Sequence, residues 1–204
     1  MKKESVIQNL LIENTIHLVA AGGFEAATTR AITYSNQNTS DVKLNEVYIY
    51  RYFGGKEQLY AEAFDKLDNQ LFTEINRALE EFRYSEYSKE TKFKIIFMQI
   101  WRFMLQNEAY CRAYVRFYYS VYFKGVLKAK HTEQFNRIVE IFSVMFKPEA
   151  DVHSLLHSVL TTMLDFAIRV YNGDLSDSED SATHIFNVIY STLSWYFAAQ
   201  EAER

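Results

Sequence analysis

What most limits the fold of this chain is its lack of punctuation. Its 204 residues include 6 Gly and a single Pro. Sandwiches and barrels need many tight turns, and tight turns draw on both residues. Two glycine pairs, Gly22-Gly23 and Gly54-Gly55, take four of the six; Gly125, Gly173 and Pro148 complete the set of breakers. The long stretches between them suit helices. The expectation is an all-α chain of about nine helices.

Apolar spacing places those helices. The first covers residues 5–21, with Ser5 as N-cap and Gly22-Gly23 as stop. A short second helix starts at Thr28-Thr29 and carries Ile32. A polar run from Tyr34 to Asp41 separates it from a third at residues 44–52, ended by Phe53-Gly54-Gly55. From Lys56 to Phe82 the apolar positions Leu59, Tyr60, Ala63, Phe64, Leu67, Leu71, Ile75 and Ala78 recur at steps of one, three and four, which predicts one long helix. Further helices are expected at residues 91–106, 109–123 and 132–146. A last pair at 152–171 and 182–197 is joined by an acidic linker and should lie antiparallel.

Composition excludes several classes. Hydrophobic residues are 49% and charged residues 24%, as in a folded globular chain and unlike a disordered one. The single cysteine, Cys111, cannot close an intramolecular disulfide or supply a Cys-based zinc site. No export signal or membrane-spanning run is visible, so a cytoplasmic location and no membrane partner are expected. No nucleophile with a base at motif spacing, phosphate loop or paired-carboxylate motif occurs. The chain does not read as an enzyme and implies no cofactor. His153 and His157 stand four apart, a spacing able to hold a metal. Without an adjacent acidic or third histidine partner in the sequence, no metal is assigned.

Charge is unevenly spread about a formal net value of −4. Residues 1–60 are balanced, 83–130 carry ten basic against three acidic groups, and 147–204 carry three against nine. Bulk charge therefore announces no nucleic-acid binder, and that reading must rest on a motif. Three short N-terminal helices, the last two separated by a polar turn, suggest a helix-turn-helix. In the third, Val47 and Phe53 are expected to face inward, while Asn45, Tyr48 and Arg51 share another face. Asparagine can read adenine, arginine can read guanine or grip phosphate, and tyrosine hydroxyls bond phosphate oxygens. Lys56 opens the fourth helix, where an ammonium and free backbone amides attract phosphate.

Gly23-Phe24-Glu25-Ala26-Ala27-Thr28-Thr29-Arg30-Ala31-Ile32, followed by Tyr50-Arg51-Tyr52-Phe53-Gly54-Gly55-Lys56-Glu57-Gln58-Leu59, resembles the DNA-binding domain of the TetR/AcrR family of bacterial transcriptional regulators. The resemblance implies a helix-turn-helix domain over residues 1–55 and a helical effector-binding and dimerisation domain over 56–204. It implies phosphate contacts from Thr29, Arg30, Tyr50, Tyr52 and Lys56, with Asn45, Glu46, Tyr48 and Arg51 in the base-facing region. It also implies a homodimer, here through residues 152–171 and 182–197, on a palindromic double-stranded operator, most simply as a repressor. Between Ile32 and Tyr50 the chain is roughly six residues longer than the family pattern, with residues 36–43 in place of a turn of about 3–4 residues.

The middle of the chain is packed with aromatic side chains. Phe72, Phe97, Trp101, Met104, Tyr114, Phe117 and Tyr118 are the candidates to line a pocket for an apolar or aromatic effector. The alternative function is a helical small-molecule-binding or interaction protein of the same ancestry that no longer reads DNA.

Overall fold

A computed structural model describes residues 2–34, 42–80 and 86–198. Among the described residues there are nine helices: α1 Lys2–Ala26, α2 Thr29–Tyr34, α3 Glu46–Phe53, α4 Lys56–Glu80, α5 Lys89–Gln106, α6 Glu108–Tyr118, α7 Gly125–Ser143, α8 Val152–Tyr171 and α9 Glu179–Ser194. The all-α reading holds, and the segments follow the apolar spacing of the sequence. Most of the unusual stretch at 36–43, and the expected end of α4 at Phe82, lie outside the described residues.

The chain divides into two compact units. One comprises residues 1–70 and 109–129, the other residues 71–108 and 130–204. Compactness thus divides the chain elsewhere than at the boundary expected between residues 55 and 56. The first unit keeps the N-terminal part of α4 and recruits α6. That recruited segment brings Arg112, Arg116, Lys124 and Lys128 and no acidic residue, so the unit is more basic than residues 1–60 alone.

In the first unit, α1 is a long helix that breaks at Gly23, whose φ of 75° and ψ of −170° leave the helical region. The break turns Phe24 into an aromatic cluster. Its ring lies 5.1 Å from Tyr60, 4.9 Å from Phe117 and 4.7 Å from Tyr122. Polar contacts, one of them fully buried, fix the helices around this cluster. The Asn14 amide donates to the Ile32 carbonyl at 2.7 Å, holding α2 on α1. The Tyr110 hydroxyl donates to the Glu13 carboxylate, which also pairs with Lys66. Arg116 Nη1 donates to the Val19 carbonyl at 2.9 Å, so α6 is tied to α1 at two places.

The second unit packs α5, α8 and α9 with the C-terminal part of α4 and most of α7. Phe93 is its aromatic hub, with the rings of Phe142, Phe146, Tyr190 and Phe197 between 5.1 and 6.3 Å away. A short clasp closes one end. Phe146 and Phe197 form an isolated β-bridge, with Lys147 N donating to the Tyr196 carbonyl and Ala198 N to the Met145 carbonyl.

A side chain at position 23 would have to adopt a backbone region favouring glycine. Its Cβ would also approach Arg116 Nη1 to 3.3 Å. Gly23→Ala should therefore cost about 1–3 kcal/mol, read as a lower urea midpoint with an unchanged slope.

Candidate nucleic-acid interface

The short helix α3 is specified by its ends. Asn45 is the N-cap, extended at φ −140° and ψ 143°, and its side-chain oxygen accepts from the Val47 amide at 3.0 Å. This satisfies one of the amides a helix start leaves without a partner. Gly54, at φ 73°, closes the other end and donates to the Tyr50 carbonyl. Between these caps Ile49 and Phe53 are buried one turn apart, with Leu44 just before the helix. They anchor α3 to the unit's core and decide which face is free.

That face differs from the expected one: Asn45 caps the helix from just outside it, Tyr48 is half-buried, and Val47 and Tyr50 stand outward with Arg51. Val47 points outward, 63% exposed, and does not join Phe53 in the core. The reason is register: Ile49 and Phe53 stand four apart on one stripe, and a residue two before Ile49 lies far round the helix from it. The outward face is made of Glu46, Val47, Tyr50 and Arg51, while Tyr48 and Tyr52 are half-buried on its flank. Their rings lie 5.7 Å apart, and the Arg51 guanidinium sits 5.4 Å over Tyr52. Val47 thus joins the exposed face of α3, where the sequence reading did not place it. The Ile49–Phe53 spacing was the signal that could have found it, and an exposed branched apolar side chain on a reading helix can meet a thymine methyl.

The remaining candidates gather around this face. The Thr29 hydroxyl donates to the Glu46 carboxylate at 2.6 Å, joining the first residue of α2 to the first of α3. Glu46 is thereby a structural acceptor inside the motif. Arg30 lies exposed with its guanidinium 5.5 Å over the Tyr34 ring. Arg51 also reaches Glu4 at 3.5 Å, with both side chains more than half exposed. Such an exposed pair contributes little to stability. Tyr50 is 61% exposed.

Lys56 opens α4 with its ammonium 5.3 Å over the Tyr60 ring. Tyr60 is fully buried, and its hydroxyl donates to the carbonyls of Phe24 and Ala27 at 3.2 and 3.0 Å. Burial, then the neighbouring Tyr122, push its pKa up to about 12, so it remains a neutral donor at any physiological pH. It fixes the start of α2, and with it Thr29 and Arg30, against the start of α4.

The effector candidates fall into two groups. Phe72 and Phe97 line a buried chamber of about 80 Å³ in the second unit, whose other walls include Phe135, Leu156, Leu160, Met163 and Ile189. Trp101 and Met104 are buried in the same unit but are not part of that wall; Trp101 stacks on Phe97 at 6.0 Å. Tyr114, Phe117 and Tyr118 belong to the first unit. There Tyr114 stacks on Phe64 and donates to buried Asp68 at 3.4 Å. Phe117 joins the Phe24 cluster, and Tyr118 packs on Phe123. Four of the seven candidates thus belong to the second unit and three to the first.

His153 and His157 flank the ring of Phe135, which also stacks on buried His131. Burial first, then His153 and His131, hold His157 below the ordinary histidine value. Among the described residues no group of three His, Cys, Asp or Glu is placed to hold a metal ion. No described helix is long and apolar enough to cross a membrane.

Asn45 has two candidate duties, capping α3 and reading a base, and two substitutions separate them. Asn45→Ser keeps a good N-cap, whereas Asn45→Ala should cost about 1 kcal/mol in chemical denaturation. Both variants lose the amide that could pair with adenine, so both should shift sequence preference if Asn45 reads a base.

No family model matches the sequence, and no curated protein matches it. Solved structures do. A TetR family transcription regulator from Marinobacter aquaeolei VT8 superposes with a TM-score of 0.76 at 18% identity, covering 97% of this chain and 99% of that one. A TetR-like transcriptional regulator from Rhodococcus sp. RHA1 gives 0.68 at 13% identity, over 93% and 97% of the two chains. The fatty acid degradation regulator FadR from Bacillus halodurans gives 0.61 at 13% identity, over 91% and 96%.

Proposed function

We propose that this chain, which has the fold of the TetR-family transcription regulators, is a ligand-responsive, sequence-specific DNA-binding regulator and acts as a repressor. The observation that carries this reading is the α2–α3 pair. A capped helix presents Val47, Tyr50 and Arg51 outward, braced by the Thr29–Glu46 hydrogen bond and bordered by Arg30 and Lys56. In this reading α3 enters the major groove of a double-stranded operator. Arg51 and Val47 address base edges, while Thr29, Arg30, Tyr50, Tyr52 and Lys56 hold phosphates.

The regulator is a two-fold dimer formed through residues 152–171 and 182–197, on a palindromic operator with half-sites about one helical turn or a multiple of it apart. Support comes from α9, where Val188, Trp195 and Tyr196 just after it are exposed apolar side chains on a single element and its end. The effector is a small apolar molecule held in the second unit. The apolar wall of the chamber supports that choice, as does the fold it shares with a regulator of fatty acid degradation. Glu46 favours the second reading, a binding protein without DNA recognition, because it sets a carboxylate on the face a phosphate backbone would approach.

A gel shift on the DNA upstream of the chain's own coding sequence separates the two. Specific retardation, with the protein sedimenting as a dimer, supports the regulator. Tyr50→Ala and Lys56→Ala should weaken binding to every sequence, and Lys56→Ala should lower the salt slope by about one. Absence of specific retardation, or an unchanged salt slope for Lys56→Ala in a protein that does bind, contradicts the assignment of this face.

A further inference from the structure

The chamber in the second unit is too small for an ordinary effector, and its walls indicate where the rest of such a molecule goes. Its volume is about 80 Å³. A hydrocarbon-lined cavity of about 150 Å³ is what holds a benzene, and sites for drug-sized ligands span about 300–1,000 Å³. A compact, rigid effector of that size does not fit.

A second hollow in the same unit, about 580 Å³, is a groove between α4, α5 and α7. Its lining includes the polar residues Asn76, Glu80, Lys92 and Glu140, and the apolar Ile141 and Val144, which are 51% and 83% exposed and so lie at its edge. The chamber and the groove share three lining residues: Phe93, Ile96 and Phe142. All three are buried, and the rings of Phe93 and Phe142 lie 5.4 Å apart, tilted by 35°. Rotation of these side chains requires no helix to move, but their burial makes it slower than the rotamer flips of exposed residues. A partition made of these side chains can therefore open within a packed unit.

We propose that chamber and groove are the two halves of one binding site, joined when Phe93 and Phe142 rotate apart. Its ligand is then slender and flexible: an unbranched alkyl chain bearing a polar, uncharged head. The chain end occupies the chamber, where aliphatic and aromatic side chains make up almost the whole wall and a charged group would be stranded. The head remains in the groove, whose lining offers hydrogen-bonding groups but mixes Lys92 with Glu80 and Glu140, so neither sign of charge is matched. This rests on the effector-binding reading above and deepens it by naming the shape and chemistry of the ligand.

The test is isothermal titration of the full chain, without DNA, against 1-hexanol, 1-octanol, 1-decanol, decanoate and 1-adamantanol. Affinity should rise about fourfold per methylene through 1-decanol, the increment for moving a methylene out of water. 1-Adamantanol has the same carbon count as 1-decanol in a compact cage and should bind at least about tenfold more weakly. Decanoate should also bind about tenfold more weakly, because its charge has no matched partner. Ile141→Glu alters only the half-exposed edge of the groove. It should weaken 1-decanol about tenfold and leave 1-hexanol within about twofold.

Affinity that levels off at 1-hexanol, 1-adamantanol binding as tightly as 1-decanol, or no alkanol binding at all would overturn the two-chamber site. Decanoate binding more tightly than 1-decanol would overturn the uncharged head. If 1-decanol binds as described and leaves DNA retardation unchanged, the site stands and the regulatory reading fails.

Discussion

The hydroxyl of Tyr60 is the contact on which the first unit depends. It is buried in α4, yet it donates to the carbonyl of Phe24, in the last turn of α1, and to that of Ala27, in the connector to α2. A buried hydroxyl without partners would cost a few kcal/mol, so burial of Tyr60 requires that the connector pass where those carbonyls can be met. This constraint fixes the start of α2. Thr29 then falls within reach of Glu46, and α3 is held at its first residue. The Gly23 break serves the same arrangement by turning Phe24 onto Tyr60 and Phe117. The outward face of α3 is thus positioned by a contact none of its own residues make.

Much of this was legible in the sequence. The stripe from Leu59 to Ala78 gave α4 because every apolar position falls on one side of a 3.6-residue period. Gly54 marks the end of α3 by ordinary capping chemistry, while its start falls two residues later than the expected residue 44, because Asn45 caps it. The same period misplaced Val47, because an eight-residue helix offers several stripes and only packing selects among them. Ile49 with Phe53 was selected. The resemblance carried by residues 23–32 and 50–59 led to the fold that the solved regulators share.

Other features could not be read, because they depend on contacts between distant parts of the chain. That α6 belongs with α1 is decided by Tyr110 on Glu13 and Arg116 on Val19, each pair 97 residues apart. Aromatic stripes said that Tyr114 and Phe117 would be buried, but not in which unit. The broad apolar face of α8 is covered in part within one chain, where Leu156, Leu160 and Met163 line the chamber. An apolar stripe records that a face must be covered and carries no label for what covers it.

Both functional proposals meet in one claim, that occupancy of the second unit alters how the first unit holds DNA. α4 and α7 each contain residues of both units, so a change in either helix is available to both. Coupling of this kind is reciprocal: a ligand that lowers DNA affinity by some factor must itself bind DNA-loaded protein more weakly by the same factor. The most direct measurement is the affinity of a confirmed ligand for the full chain, free and saturated with operator. The account predicts weaker binding to the operator complex, by a factor equal to the loss of operator affinity in saturating ligand. Identical affinities in the two states would contradict it.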